Sequence, residues 1–412
     1  MDPVKQLNLF RMIAEAGYSG MELSELVRRV GIRLNECGLP VARLGIGFPT
    51  LHPSFYGFDV NWIRRGDEVV RSQWQRPTGE INTEEFDSRP FSYMRARDMD
   101  EMLVDLSSNE PTRFPLLETL REGGATGYLA TCDKVTESRH VGPLNVFFTS
   151  WTTDRPAGFT EEDLTIIRSL VPAIGVAARA LSADDVAYDL LKTYLGCNAG
   201  QKVIAGSVHR GAVEVIDAAI IYSDLVGFTR TADQESKEDL ADLLNAYFDE
   251  MVGVIRDHSG EVLKFIGDGM LAIIPYDGDP ATAKEALDAA AEIILRTDAL
   301  TARRETDGKL TAEVSVALHR GELLYGNVGA QDRLDFTVIG PAVNEASRIE
   351  ALCREQQRRL IISSAFAESA TTEAHRLISM GRFALRGVRK PQELFTLALE
   401  PGALDLPHSV RP

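Results

Sequence analysis

Cysteine is scarce in this chain: four residues in 412, Cys37, Cys132, Cys197 and Cys353, scattered with no paired spacing. That pattern excludes a zinc knuckle or a disulfide framework and leaves reduced, structural thiols. Basic residues are in deficit as well, 44 against 61 acidic ones, for a formal charge of -17. Nucleic acid and anionic membrane both demand a positive surface, so neither is expected as a partner. No apolar run approaches the ~18 residues that cross a bilayer, and the opening MDPVKQLNLF lacks a secretory pattern, so the sequence reads as cytoplasmic. The length suits two or three domains, each able to bury its own core.

What is present is a pair of aspartates in matching settings. AIIYSDLVGFT puts Asp224 at the end of an apolar, strand-like run, and LKFIGDGMLAII puts Asp268 in a Gly-Asp-Gly turn between two such runs. Either alone is more often a turn residue than a ligand. Together they suit two divalent ions, one activating a hydroxyl while both neutralise a triphosphate. Magnesium is the expected ion, being hard and content with one or two carboxylates plus substrate phosphates; manganese is the alternative. Bare backbone at Val226, Gly227, Phe228 and Thr229 can cradle phosphate. A third segment, VALHRGELLYGNVGAQDRLDFTVIGPAVNEASRIEALCR, reads as strand, glycine-rich turn, strand and helix. Asn344 and Arg348, four apart near the start of that helix, share a face and aim an amide and a guanidinium at one spot.

These motifs resemble the catalytic domain of the class III adenylate and guanylate cyclases, from about Ala219 to Leu397. The resemblance implies that Asp224 and Asp268 hold two metal ions and that Asn344 and Arg348 orient the ribose and stabilise the transition state. It places Lys264 and Thr337 against the base. A lysine has donors only, so it satisfies adenine N1 and would confront the N1 proton of guanine; with Thr337 it points to ATP. A basic residue on the terminal phosphates maps best onto Arg386 in ALRGVRKPQELF, backed by Arg389 and Lys390, although the family's usual Lys-Gly-Lys stretch is absent and a solvated basic loop fits the same residues. The family also implies a homodimer with sites at the interface, the metal aspartates from one chain and the base, ribose and transition-state groups from the other.

Periodicity gives the architecture around these motifs. Leu240, Leu243, Leu244, Tyr247, Met251 and Ile255 form one helical stripe ending near Gly260, and an alanine-rich helix runs from about Pro280 to Thr297. Helices alternating with strands in this order fit an α+β, ferredoxin-like sandwich. Ahead of it lies an amphipathic helix over Met21 to Leu39, then strands at VARLGIGF, VNWIRR, GYLATCDK and LNVFFTSWTT, then a helix capped by Thr160 and Asp163. That order resembles a GAF-like α/β sensory domain. The layout expected is a GAF-like domain over 1–182, a helical and Gly-rich transmission linker over 183–216, the cyclase domain over 217–400 and a tail over 401–412. What the first domain senses is not legible; a small-molecule ligand and a purely dimerising role both stay open. The function expected is conversion of ATP to 3',5'-cyclic AMP and pyrophosphate, the alternatives being a cyclase of GTP or a pyrimidine nucleotide, or a catalytically silent regulatory module.

Overall fold

The computed structural model describes residues 2–75, 88–108, 110–134, 146–388 and 391–397, and the chain divides into two compact units, Met1–Thr193 and Tyr194–Pro412. The N-terminal unit opens with helices α1 (Pro3–Tyr18) and α2 (Leu23–Glu36). Strands β1 (Arg43–Pro49), β2 (Phe55–Ile63) and β3 (Glu68–Gln75) follow, then α3 (Pro90–Ala96), β4 (Glu101–Asp105), α4 (Pro115–Glu122), β5 (Gly127–Lys134), β6 (Val146–Thr153) and α5 (Glu161–Leu195). The strands form one antiparallel sheet in the order β3-β2-β1-β6-β5-β4.

Side-chain alternation gives that sheet two different faces. Leu44, Ile46, Val60, Trp62, Leu129 and Trp151 pack with Ile13 of α1, Leu26 and Val30 of α2, and Leu170 and Ile174 of α5. On the other face, Phe148, Tyr128, Ala130 and Cys132 pack with Met94 of α3 and Leu117 of α4. Thr160 and Asp163 form the expected reciprocal cap: the Thr160 amide and hydroxyl donate to Asp163 Oδ2 at 2.9 and 2.8 Å, and the Asp163 amide donates to Thr160 Oγ1 at 3.2 Å. The helix that follows runs unbroken through Pro172 to Leu195, into the stretch read as a helical and Gly-rich linker, and then gives way to Gly196 and the short α6 (Cys197–Ile204). By length and composition α5 could cross a membrane, contrary to the reading that no segment could; here Leu164, Ile167, Leu170 and Ile174 are buried in the core of the N-terminal unit. Arg168 and Arg179 interrupt its apolar run in the sequence.

The C-terminal unit contains β7 (Val213–Val226), α7 (Phe228–Ala232), α8 (Lys237–Asp257), β8 (Glu261–Ile266), β9 (Gly269–Pro275), α9 (Pro280–Thr306), β10 (Glu313–Gly329), β11 (Leu334–Ile339) and α10 (Pro341–Glu355). It ends with β12 (Leu360–Ser363), α11 (Ser364–Ala367), β13 (Leu377–Phe383) and β14 (Gln392–Leu397). Sheet order is β13-β14-β12-β10-β7-β9-β8, with β11 on β10. The inner order β10-β7-β9-β8, with α8 linking β7 to β8 and α9 linking β9 to β10, is the ferredoxin-like split βαβ arrangement.

Both faces of β7 are covered, which is why AAIIY reads as a continuous apolar run. Ala219, Ile221 and Leu225 face Tyr247 and Met251 of α8 and Ala286 and Ala290 of α9. Ala218 and Ile220 face the opposite way, toward Ala342 and Ala346 of α10. The glycine-rich stretch read as a turn is instead strand as far as Gly329. Gly326, at φ +149°, allows this: a Cβ there would come within 2.1 Å of the Ala212 carbonyl. Helix α9 outruns its expected end by nine residues. Its last turns carry Arg304, whose stem is buried while Nε donates to the Leu310 carbonyl at 2.6 Å and Nη2 meets Asp242 at 3.0 Å.

Candidate active site

Asp224 follows Ala218 and Ile220 in strand parity, so its carboxylate lies on the α10 side of the sheet near the end of β7. Asp268 sits in the turn joining β8 to β9. What brings the two together is Gly269: a Cβ there would fall 2.7 Å from the Ser223 carbonyl and 3.2 Å from Asp224 Oδ1, so any other residue would push the turn off the strand. A third carboxylate, Glu350 of α10, acts on them through its charge. Ser315, cross-strand from Asp224, donates to Glu350 Oε1 at 2.8 Å. Burial first, then the charges of Asp268 and Glu350, push Asp224 from its ordinary 3.8 up to about 7. Burial also raises Glu350, and Arg354 answers weakly, with Nη2 4.0 Å from Asp224 Oδ2 on a side chain that is 70% exposed.

Such mutual repulsion is what a hard divalent cation relieves, and a set of carboxylate oxygens beside bare glycine backbone fits magnesium or manganese. Among the described residues no three acidic, histidine or cysteine side chains converge into a cage of their own. Ions held by Asp224 and Asp268 would therefore complete their shells with water and phosphate oxygens. Just beyond Asp224, Gly227 takes φ +81° and starts α7. The Arg230 and Thr231 amides turn back to the Gly227 carbonyl at 3.0 and 3.3 Å, while Phe228 and Thr229 occupy the first turn, where amides have no carbonyl within the helix.

The other candidates form two separate groups. Ala342, Ala346, Ile349 and Cys353 make the buried seam of α10; Asn344 is exposed and Arg348 partly so, on the side turned away from it. Ser347, Glu350 and Arg354 form a different flank, which carries the contacts to Tyr222, Ser315 and Asp224. No hydrogen bond or ion pair joins Asn344 or Arg348 to either aspartate among the described residues. The Arg348 guanidinium instead reaches Gly387, where a Cβ would sit 3.5 Å from both Nη atoms, and exposed Arg386 is the residue before it. Arg389 and Lys390 lie outside the described residues. At the other group, Lys264 Nζ meets Asp335 Oδ2 at 2.5 Å, and Thr337, buried two residues along β11, pairs with Gly326 of β10. Asp335 and Thr337 share a face of the strand.

Residues 212–399 match the family model for the adenylate and guanylate cyclase catalytic domain. The C-terminal unit belongs to that family. Its relatives include an uncharacterised protein of Mycobacterium tuberculosis, 33% identical over 43% of this chain and 31% of that one. Another is the terminal-differentiation-specific adenylate cyclase of Dictyostelium discoideum, 32% identical over 42% of this chain and 8% of that one. The chain spans about a third or less of the length of these relatives. Among solved structures, the adenylyl cyclase CyaB from P. aeruginosa is 24% identical at TM-score 0.42, over 47% of this chain and 99% of that one. The guanylyl cyclase Cya2 is 27% identical at TM-score 0.41, over 47% and 98%. Both kinds of cyclase thus stand among the neighbours.

Within the cyclase domain, two acidic residues escape the motif reading. Glu350 looks like an ordinary helical surface residue until the fold brings Ser315 to it from 35 positions away. Asp335 precedes Thr337 by two, and that strand alternation is the one signal that would have found it.

Proposed function

We propose that the chain is an adenylate cyclase that converts ATP to 3',5'-cyclic AMP and pyrophosphate. The observation that carries this reading is the crowding of Asp268 and Glu350 on Asp224, a half-buried acidic group at the end of β7. Two divalent ions bound there would lower the pKa of the ribose 3'-hydroxyl and neutralise the triphosphate. The chain's own residues then do the rest. Asn344 holds the ribose, so that the 3'-oxygen faces the α-phosphorus. Arg348 donates to the phosphoryl oxygens as their charge grows, and the amides of Phe228 and Thr229 hold the departing pyrophosphate. Arg386, one residue before the Gly387 that Arg348 reaches, would meet the terminal phosphates.

The separation of the carboxylates from Asn344 and Arg348 within one chain supports a homodimer with composite sites, each chain completing the other's. An exposed apolar row supports it too: Leu324 of β10 pairs with Val215 on one side and Ile339 on the other, and all three are at least 42% exposed. Lys264 supplies the donor for adenine N1, and the Thr337 hydroxyl accepts from the amino group. One observation favours GTP instead: Asp335, held against Lys264, is an acceptor that the N1 proton of guanine could use. Incubating the purified chain with each of the four nucleoside triphosphates and Mg²⁺ or Mn²⁺, then identifying products by mass, separates these readings. Cyclic AMP from ATP is expected; cyclic GMP as the main product overturns the base assignment. We assign residues 1–182 as a cytosolic GAF-like regulatory domain and 183–216 as the element that transmits its state.

A further inference from the structure

One face of the N-terminal sheet opens onto a cavity of about 590 Å³, within the range of sites for small organic ligands. Trp74, Phe91 and Phe148 give it aromatic walls, and Arg43 stands among them. The polar wiring of this wall is unequal. Asp59 is fully engaged: Oδ1 accepts from Trp74 Nε1 at 2.7 Å and Oδ2 from the Asn61 amide. Arg43 has only neutral acceptors, Ser150 Oγ at 3.0 Å and Asn61 Oδ1, and no carboxylate pairs with it among the described residues. Burial pushes its guanidinium below the ordinary arginine pKa. In the same cross-strand row, through Thr152, stands Tyr128, whose buried hydroxyl has no hydrogen-bond partner among the described residues. The nearest carboxylate, Asp59, acts on this desolvated guanidinium only through space, being bonded to Trp74 and Asn61, and a fork with unused donors matches a carboxylate or phosphate in shape as well as charge.

The sequence builds this wall with alternate glycines in LGIGF. A Cβ on Gly45 would lie 2.4 Å from both Asn61 Oδ1 and Ser150 Oγ, and one on Gly47 would lie 2.8 Å from the Trp74 ring. Bare backbone on β1 is thus what lets the arginine's partners and the indole stand where they do. We propose that this cavity binds a small organic anion, a carboxylate or phosphate carried on a flat aromatic body, with the charge on Arg43 and the body between Trp74, Phe91 and Phe148. The site is independent of the cyclase chemistry.

The test is calorimetric titration of the full chain with 2-naphthoate and 2-naphthyl phosphate, each against its neutral counterpart, 2-naphthamide or 2-naphthol. At least one anion should bind one-to-one with Kd below about 1 mM and at least about tenfold tighter than its neutral partner. The preferred anion distinguishes carboxylate from phosphate. Binding should quench indole emission, and Trp74→Phe should remove that quenching. Arg43→Met should weaken binding about tenfold or more, with Arg43→Lys between it and wild type. The proposal is overturned if neither anion binds below that limit, if neutral and anionic partners bind alike, or if a folded Arg43→Met chain binds as wild type does. Should Arg43→Met not fold, the anion-against-neutral comparison on the wild-type chain decides by itself.

Discussion

Replacing Asp224 with asparagine should stabilise the metal-free protein at alkaline pH while removing its turnover. In the fold Asp224 titrates at about 7 against an ordinary 3.8, so between those values the native state holds a proton that the unfolded chain has released. Relative to the neutral form, its stabilising contribution is therefore complete below about pH 4 and is lost progressively as pH rises through about 7. At ~1.4 kcal/mol per pKa unit, the full shift is worth at most about 4 kcal/mol, and water reaching a side chain that is 23% exposed reduces this to about 1–2 kcal/mol. The assay is urea denaturation in EDTA at pH 4 and pH 8.5, for wild type and Asp224→Asn. The two should be nearly equal at pH 4, and the variant should be about 1–2 kcal/mol more stable at pH 8.5. Saturating Mg²⁺ should close the gap by stabilising wild type alone. If the variant is no more stable than wild type at pH 8.5 without metal, Asp224 is not the strained acid and the argument for a cation there loses its basis.

Three further outcomes test other parts of the account. Glu350→Gln removes one negative neighbour from the ion site, so the Mg²⁺ concentration for half-maximal activity should rise about tenfold, read from a metal titration at saturating ATP. Lys264→Glu should lower kcat/KM for ATP about 10- to 100-fold, because the base loses a donor and the new carboxylate faces Asp335; Thr337→Ala should cost less, and steady-state kinetics compare them. Thr160→Ala breaks the reciprocal cap of α5 and should cost ~1 kcal/mol in denaturant unfolding without altering substrate KM.

The chemistry-bearing turns of the C-terminal unit were legible because each couples an unusual residue to a strand end: Asp224 after an apolar run, Asp268 between two glycines. Helix α8 was legible as well, since Leu243, Tyr247, Met251 and Ile255 keep a single stripe. Its end was less so, as the left-handed residue that closes it is Ser259 at φ +56° and not Gly260, which sits at the stop because a Cβ would strike Ile255. The last turns of α9 were hidden by charge, since ARRET looks solvated when only the head of Arg304 is polar. Glu350 and Arg43 were hidden for a shared reason: each is an ordinary charged residue locally, and its burial comes from strands far away in sequence. In the N-terminal unit α1, β3, α3, β4 and α4 carry no chemical motif, and several are too short for periodicity alone to place them.

Complementation measures directly whether a cyclase site is shared between two chains. Asp224→Asn and Arg348→Ala chains, each inactive alone, are mixed under conditions of demonstrated subunit exchange, and cyclic AMP formation from ATP with Mg²⁺ is followed. A heterodimer retains one intact site of two, so activity should recover to at most about half of the wild-type rate per dimer. Exchange without any recovery would contradict the account, because it would mean that each chain completes its own site despite the separation of its aspartates from Asn344 and Arg348.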